Sequence, residues 1–167
     1  MKLYFSTLGC RLNEAEVEGL SREAQSAGHQ VVSDAAAADW IILNTCTVTH
    51  VAARKSRQAI RRMHAQAPDA RLAVIGCYGT MSPDEALALP GVALVIPNAD
   101  KARVLQAILE AGAGSPPPEG DAPGALPQRR TRAFIKVQDG CDNRCTYCVV
   151  RIARGPSRSR VYGDVLA

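Results

Sequence analysis

The chain has 167 residues, of which 47% are hydrophobic and only 4% aromatic, so its core must consist mainly of Ala, Val, Ile and Leu. No run approaches the roughly 20 apolar residues that a membrane span requires, and the apolar stretch at the N-terminus is too short for a secretion signal. We therefore expect a cytoplasmic protein with no membrane partner, whose six cysteines remain reduced thiols.

The net charge of +4 is distributed unevenly. Residues 129–160 contain nine basic and two acidic side chains, which gives a local charge of +7, so the rest of the chain sums to −3. A basic segment attached to a mildly acidic domain favours a polyanionic partner. A solvated basic surface or tail would explain the same pattern equally well.

Strand and helix signals alternate along residues 1–111. The pattern predicts strands over 3–7, 30–32, 40–43, 72–75 and 92–96, and helices over 13–27, 50–66, from 82 onward, and over 99–111. Thr47 or Thr49 would cap the second helix. The third strand is uniformly apolar, which is typical of parallel sheets. The alternation predicts an α/β domain with an open parallel sheet and helices on both faces.

The first helix carries signals at both ends. Asn13 is predicted to be its N-cap, and Gly28 its C′ residue. Glu14, Glu16 and Glu18 would complement the positive end of its dipole.

Residues 112–128 break the alternation, because they are rich in Pro and Gly. They are predicted to form a linker. A new strand is predicted over 133–137, so a second domain over 129–167 has just begun where the sequence stops.

Cys141, Cys145 and Cys148 form a C-x3-C-x2-C pattern. Three thiolates at this spacing could hold three irons of a four-iron cluster, and leave the fourth open to the amino and carboxylate groups of S-adenosylmethionine. Zinc is the competing interpretation, but structural zinc takes four ligands, and no histidine or fourth cysteine lies nearby in the sequence. Buried thiols that act only as small hydrophobic residues are the third possibility.

Cys10, Cys46 and Cys77 are far apart in sequence, yet each follows the end of a predicted strand: the first, third and fourth. Ligands of open α/β sheets bind outside the carboxyl ends of the strands. These three thiols are therefore predicted to converge on one crevice, although three core cysteines could also fall there by chance.

The neighbours of these cysteines fit a cluster site. Gly9 and Gly76 would allow the backbone to approach a cluster closely. Asn44, Thr45 and Thr47 could donate hydrogen bonds to its sulfides.

In this order the motifs resemble those of the methylthiotransferase family of radical-SAM enzymes. The matching segments are Thr7-Leu8-Gly9-Cys10, Asn44-Thr45-Cys46-Thr47-Val48, Gly76-Cys77-Tyr78, the run from Val137 to Cys148, and the run from Ala153 to Arg160. Residues 54–58 and 155–159 look most similar to the branch that acts on threonylcarbamoyladenosine beside the tRNA anticodon.

The resemblance implies two [4Fe-4S] clusters and S-adenosylmethionine. The first three cysteines would bind an auxiliary cluster, the last three the radical-generating cluster, and Tyr147 would lie beside the adenosylmethionine. The radical would remove hydrogen from C2 of the modified adenine, sulfur would be inserted there, and a second adenosylmethionine would supply the methyl group.

The resemblance also implies partners. These are a tRNA anticodon stem-loop and an electron donor such as flavodoxin or ferredoxin. The basic run and the helix with Arg54, Lys55, Arg57, Arg61 and Arg62 would contact tRNA phosphates. For that helix, a solvated face is an equally good interpretation.

Two departures from the family pattern stand out. Arg151 occupies a position where the family commonly has proline. The chain also ends 19 residues after Cys148, whereas the family continues into a partial βα barrel. We therefore expect an N-terminal part that ends in a truncated radical-SAM βα barrel, with a formed auxiliary site and an exposed, incomplete radical site.

Two alternatives remain open at the level of sequence. The protein could methylthiolate another substrate, either isopentenyl-adenosine in tRNA or a ribosomal-protein aspartate. It could also be an inactive iron–sulfur or RNA-binding module.

Overall fold

The computed structural model describes residues 1–112 and 134–166. The first range forms a five-stranded, all-parallel sheet in the order β2-β1-β3-β4-β5. Its strands are β1 (Lys2–Thr7), β2 (Gln30–Val31), β3 (Trp40–Thr45), β4 (Arg71–Gly76) and β5 (Val92–Ile96).

Five α-helices connect or follow these strands. They are α1 (Arg11–Ser26), α2 (His50–Gln66), α3 (Cys77–Met81), α4 (Pro83–Leu87) and α5 (Val104–Glu110). Two 3-10 segments, Ala35–Ala37 and Asn98–Arg103, complete the domain.

The central strand β3 is buried along its whole length and divides the core into two layers. Ile41 and Leu43 pack with Ile60 and Met63 of α2 on one face. Trp40 and Ile42 point to the other face, where they pack with Leu20 of α1 and Ile108 of α5. This alternation follows from the two-residue period of a strand. The predicted α/β fold with helices on both faces is confirmed.

The second described range is built from short elements. These are β6 (Gln138–Asp139), α6 (Val150–Arg154), β7 (Arg158–Ser159) and α7 (Tyr162–Leu166). The two strands pair antiparallel, Gln138 opposite Ser159 and Asp139 opposite Arg158. The start of a βα barrel remains a prediction for this segment.

Several predicted element boundaries are confirmed at the level of single residues. Helix α2 spans the predicted 50–66, and the Thr49 side chain accepts a hydrogen bond from the amide of Ala52 at 3.0 Å. Gly28 follows the last turn of α1 with a φ of 80°.

The predicted start of α1 is wrong. Cys10 holds the N-cap position, and the helix begins at Arg11. Asn13 is instead buried inside the first turn. Its side-chain Nδ2 donates to the carbonyl oxygens of Leu8 at 3.0 Å and Thr45 at 3.2 Å. These long-range partners take the side chain away from a local cap.

The strand predicted over 133–137 is also wrong, since residues 134–137 form no strand and the pairing begins at Gln138. In the region predicted as one helix over 99–111, a 3-10 segment precedes the shorter helix α5. The predicted linker at 112–128 lies, apart from Gly112, outside the described residues. Among the described helices, none has the length and apolarity that crossing a membrane would require.

Candidate iron–sulfur sites

The three dispersed cysteines follow strand ends that lie at one level of the sheet. In the registered pairing, Thr7 lies opposite Asn44, and Thr45 lies opposite Gly76. Cys46 and Cys77 directly follow the paired residues Thr45 and Gly76, so they are the first residues after two neighbouring strands. Because parallel strands are about 4.8 Å apart, the sheet itself brings these two residues to the same edge.

Cys10 approaches the same edge through the turn after β1. A Cβ atom at Gly9 would lie 2.9 Å from Cys46 Cβ and 3.5 Å from Cys46 Sγ, and the φ of Gly9 is 130°. Only glycine fits this left-handed, crowded position. The Cys10 thiol itself donates to Asn13 Oδ1 at 3.6 Å.

Gly76, next to Cys77, is a second glycine whose backbone packs too closely against its neighbours to leave room for a side chain. Its φ is 95°, and a Cβ there would overlap Asn44 Oδ1 and the carbonyl oxygen of Thr45. The chain thus turns tightly from β4 into α3 and buries Cys77, whose exposed fraction is 4%. Cys46 is half-buried and Cys10 exposed, so the three thiols run from the interior to the surface.

Asn98 touches the innermost thiol. Its Nδ2 donates to Cys77 Sγ at 3.6 Å and to the carbonyl oxygen of Ala153 at 2.5 Å. Its Oδ1 is buried with no hydrogen-bond partner among the described residues. An unpaired buried acceptor is costly, so this site has a polar group to offer a ligand. Sequence reasoning missed Asn98, which lies just after a strand end like the cysteines.

Asn44 and Thr45, expected to face a cluster, have protein partners instead. Asn44 Nδ2 donates to the carbonyl oxygen of Asn13 at 3.2 Å and to Glu16 Oε2 at 3.0 Å. Thr45 Oγ1 donates to the carbonyl oxygen of Ile75 at 2.5 Å. Both side chains tie strands and α1 together beneath the cysteines.

A buried ionic network lies behind this edge. Glu16 is paired with Lys101, with Lys136 at 2.8 Å and with Arg154 at 3.0 Å. Asp139 is paired with Lys136 at 2.6 Å and with Arg154 at 2.9 Å. The network joins α1, the 3-10 segment after β5, and the segment around α6.

The network determines the ionisation of Glu16. Burial by itself would raise the pKa of Glu16, but Lys101, Arg154 and Lys136 together hold it far below its ordinary value. Asp139 responds in the same way: burial opposes ionisation, while Lys136 and Arg154 lower its pKa. Burial lowers the pKa of Lys101, and the attraction of Glu16 only partly opposes this. Glu16 is thus a buried anion within this network. It lies outside the first turn of α1, in which Glu14 is the acidic residue.

The second cysteine trio lies on the surface. Cys145 and Cys148 are exposed and Cys141 is half-buried. The loop is closed by a hydrogen bond from the Cys148 amide to the carbonyl oxygen of Cys145 at 3.1 Å. Tyr147 has 90% of its surface exposed, so it does not serve as a packing residue within the described chain.

The base of that loop is held by the segment that follows α6. The Cys141 amide donates to the carbonyl oxygen of Gly155 at 3.1 Å, and the Ser157 amide donates to Asp142 Oδ1 at 3.0 Å. Gly140, with a φ of 72°, passes so close to Pro156 that a Cβ would overlap the Pro156 carbonyl. Loop and following segment therefore form one unit.

Both trios have the chemistry of iron–sulfur ligands. All six cysteines are free thiols, and soft thiolates are the donors that such clusters take. Within residues 1–112 and 134–166, no group of three or more His, Cys, Asp or Glu side chains is close enough to hold a single metal ion. The first trio, with its two glycine approaches and the Asn98 Nδ2 donor to Cys77 Sγ, is the better formed of the two.

Helix α2 presents a basic face. Arg54, Lys55, Arg61 and Arg62 are exposed, and their spacing places them on one side of the helix. Arg57 differs, because it is half-buried and paired with Glu85 at 3.3 Å. Four of the five predicted phosphate contacts thus have free access to solvent.

The sequence comparisons agree with this architecture. The model of the uncharacterized protein family UPF0004 matches residues 2–97, which contain Cys10, Cys46 and Cys77 and most of the sheet domain. The chain belongs to the methylthiotransferase family. The resemblance stated from the motifs is confirmed.

Relatives with three different printed activities match nearly the whole chain. The threonylcarbamoyladenosine tRNA methylthiotransferase MtaB of Bacillus subtilis is 38% identical over 97% of this chain. The tRNA-2-methylthio-N(6)-dimethylallyladenosine synthase of Zymomonas mobilis is 32% identical over 98% of it. The ribosomal protein uS12 methylthiotransferase RimO of Roseiflexus castenholzii is 30% identical over 99% of it.

These alignments cover 38%, 39% and 42% of the respective relatives. This methylthiotransferase chain therefore spans well under half the length of the relatives it matches.

Proposed function

We propose that the protein is a tRNA methylthiotransferase that inserts a methylthio group at C2 of N6-threonylcarbamoyladenosine next to the anticodon. The observation that carries the proposal is the meeting of Cys10, Cys46 and Cys77 at one sheet edge in a chain of the methylthiotransferase family. The relative named for this substrate has higher identity than those named for dimethylallyladenosine or uS12.

The chain's residues divide into two proposed cofactor sites. Cys10, Cys46 and Cys77 would hold one [4Fe-4S] cluster, which handles the sulfur. Cys141, Cys145 and Cys148 would hold another, whose open iron binds S-adenosylmethionine with Tyr147 beside it. The clusters and adenosylmethionine supply the radical, the sulfur and the methyl group; the chain's own task is to hold the two thiol sets at a fixed separation.

The proposed RNA partner fits the charge of the surface. The exposed cations of α2 lie on a helix that starts near the cysteine edge, since α2 begins four residues after Cys46. From Arg54 to Arg61 the helix rises about 10 Å, so its cations could contact more than one phosphate of an anticodon stem. Such contacts give affinity without reading sequence. A cytoplasmic location and a flavodoxin- or ferredoxin-like electron donor belong to the same proposal.

Iron and sulfide analysis after anaerobic reconstitution tests the cofactor sites. We expect about eight irons per chain, and fewer than three would contradict the proposal. Cys77→Ala and Cys141→Ala should each lose about half of the iron, and the double variant nearly all of it. Thr146→Ala, in the same loop as Cys141, is the matched control and should retain the full content.

Nucleoside analysis tests the substrate. In a strain without the gene, 2-methylthio-threonylcarbamoyladenosine should disappear from tRNA, and the wild-type gene, but not Cys77→Ala, should restore it. Loss of methylthio groups from dimethylallyladenosine or from uS12 instead would assign the protein to one of the other two substrates.

A further inference from the structure

The buried network behind the cysteine edge has an excess of positive charge. It contains three cations, Lys101, Lys136 and Arg154, and two carboxylates, Glu16 and Asp139, so its net charge is +1. Four of these five side chains have no more than about a tenth of their surface exposed, and Lys136 about a quarter. Charge in such a setting is poorly screened by water or salt.

This charge reaches the first cysteine trio through short contacts. Arg154 Nη2 donates at 2.6 Å to Asn13 Oδ1, the same atom that accepts from the Cys10 thiol. Lys101 Nζ donates at 3.3 Å to Asn44 Oδ1, the atom against which Gly76 packs.

An iron–sulfur cluster gains one negative charge when it accepts an electron. Net charge and hydrogen bonding around a cluster are two of the factors that set its reduction potential. A buried positive charge stabilises the reduced form more than the oxidised form, so it raises the potential, and a buried carboxylate has the opposite effect.

We propose that Arg154 and Lys101 raise the reduction potential of the cluster held by Cys10, Cys46 and Cys77, and that Glu16 limits this rise. The inference rests on the proposed cluster site and goes beyond it, because it assigns a role to residues outside both cysteine trios. Arg154 acts on the cluster through its charge and does not bind it.

The origin of Arg154 gives the proposal a further consequence. Arg154 is the last residue of α6, which begins two residues after Cys148. Its charge enters the first site only when α6 is docked, with Ala153 bound to Asn98 and Arg154 bound to Glu16. The potential of the first cluster therefore depends on the placement of the segment that carries the second trio.

An EPR-monitored redox titration of the reconstituted full chain tests the proposal. To isolate the first cluster, the measurements use a background in which Cys141, Cys145 and Cys148 are replaced by Ala. In that background Arg154→Gln should shift the midpoint potential downward, and Glu16→Gln should shift it upward. Arg154→Lys, which keeps the charge, should have a midpoint potential close to that of the background.

Arg151→Gln is the matched control, since Arg151 lies on the same helix with greater exposure, and its potential should equal that of the background. A general loosening of the fold would shift the midpoint potentials of Arg154→Gln and Glu16→Gln in the same direction. Shifts in opposite directions are therefore the diagnostic result. Equal potentials, or shifts of the same sign, would overturn the proposal. If Arg154→Gln does not fold, Glu16→Gln decides alone, and an unchanged or lower potential refutes the inference.

Iron content separates this inference from the proposed function. If the background chain binds no cluster, the proposed auxiliary site falls, and the inference falls with it. If the cluster is present at about four irons and the potentials do not respond, only the inference fails.

Discussion

Asn98 and Ala153 join the two described parts of the chain through a hydrogen bond of 2.5 Å from Asn98 Nδ2 to the Ala153 carbonyl oxygen. Both residues are buried, and they are 55 positions apart. Since Asn98 Nδ2 also donates to Cys77 Sγ, one amide group connects a proposed cluster ligand of the sheet domain to helix α6.

Asn98→Ala should loosen the docking of α6 without unfolding the sheet. The variant leaves a buried carbonyl without its donor, which costs about 1–3 kcal/mol. We expect faster hydrogen exchange at the α6 amides, measured by mass spectrometry, with little change in β3 and β4. Asn143→Ala, at an exposed position, is the control. Equal exchange in both variants would show that the Asn98 bond does not hold α6.

Gly76→Ala should strongly destabilise the sheet domain. The added Cβ would overlap backbone and Asn44 atoms, and the φ of 95° strains any other residue. We expect a loss above about 3 kcal/mol in urea unfolding, together with poor iron incorporation. Gly19→Ala is the opposite control: its Cβ meets nothing within 4 Å in the interior of α1. That change should stabilise by about 0.5–1 kcal/mol. Similar losses in the two variants would contradict this account.

Thr49→Ala should weaken the start of the basic helix. The Thr49 hydroxyl is the side-chain cap of α2, and losing such a cap costs about 1 kcal/mol. The urea midpoint should fall accordingly, while Thr49→Ser, which keeps the hydroxyl, should remain near the wild-type value. A midpoint for Thr49→Ala equal to that of Thr49→Ser would mean that the cap contributes nothing.

The position of the first cysteine trio could be predicted because strand ends are local features. The uniformly apolar run before Asn44 marks β3, and the run before Gly76 marks β4, so the thiols that follow must share an edge once the sheet is parallel. Helix α2 and a cap at Thr47 or Thr49 were predictable for the same reason, since a cap and a periodic pattern lie within one short segment. The structure assigns the cap to Thr49.

The ionic network was not predictable in this way. Glu16 pairs with Lys101, which is 85 positions away, and with Arg154, which is 138 positions away. No local pattern encodes such contacts. One signal was present: Glu16 lies at helical spacing from Asn13, Leu20 and Ala24, all of which are buried. A carboxylate on the apolar stripe of a helix requires a buried cation, although the sequence does not say which.

Acidification should destabilise the fold through this network. The pKa values of Glu16 and Asp139 lie below their ordinary values in the folded chain. Unfolded carboxyls therefore bind protons more readily, and the stability that these groups contribute is complete above about pH 5 and is lost as the pH falls toward their folded values. We expect the free energy of unfolding in urea to fall by at least about 2 kcal/mol between pH 5.5 and pH 3. Glu16→Gln should be less stable at pH 7, because three cations lose the Glu16 carboxylate and Asp139 pairs with only two of them, Lys136 and Arg154. Its stability should also change less with pH. Glu85→Gln, at the surface, should keep the wild-type slope, and a wild-type slope in Glu16→Gln would show that Glu16 is not the titrating group.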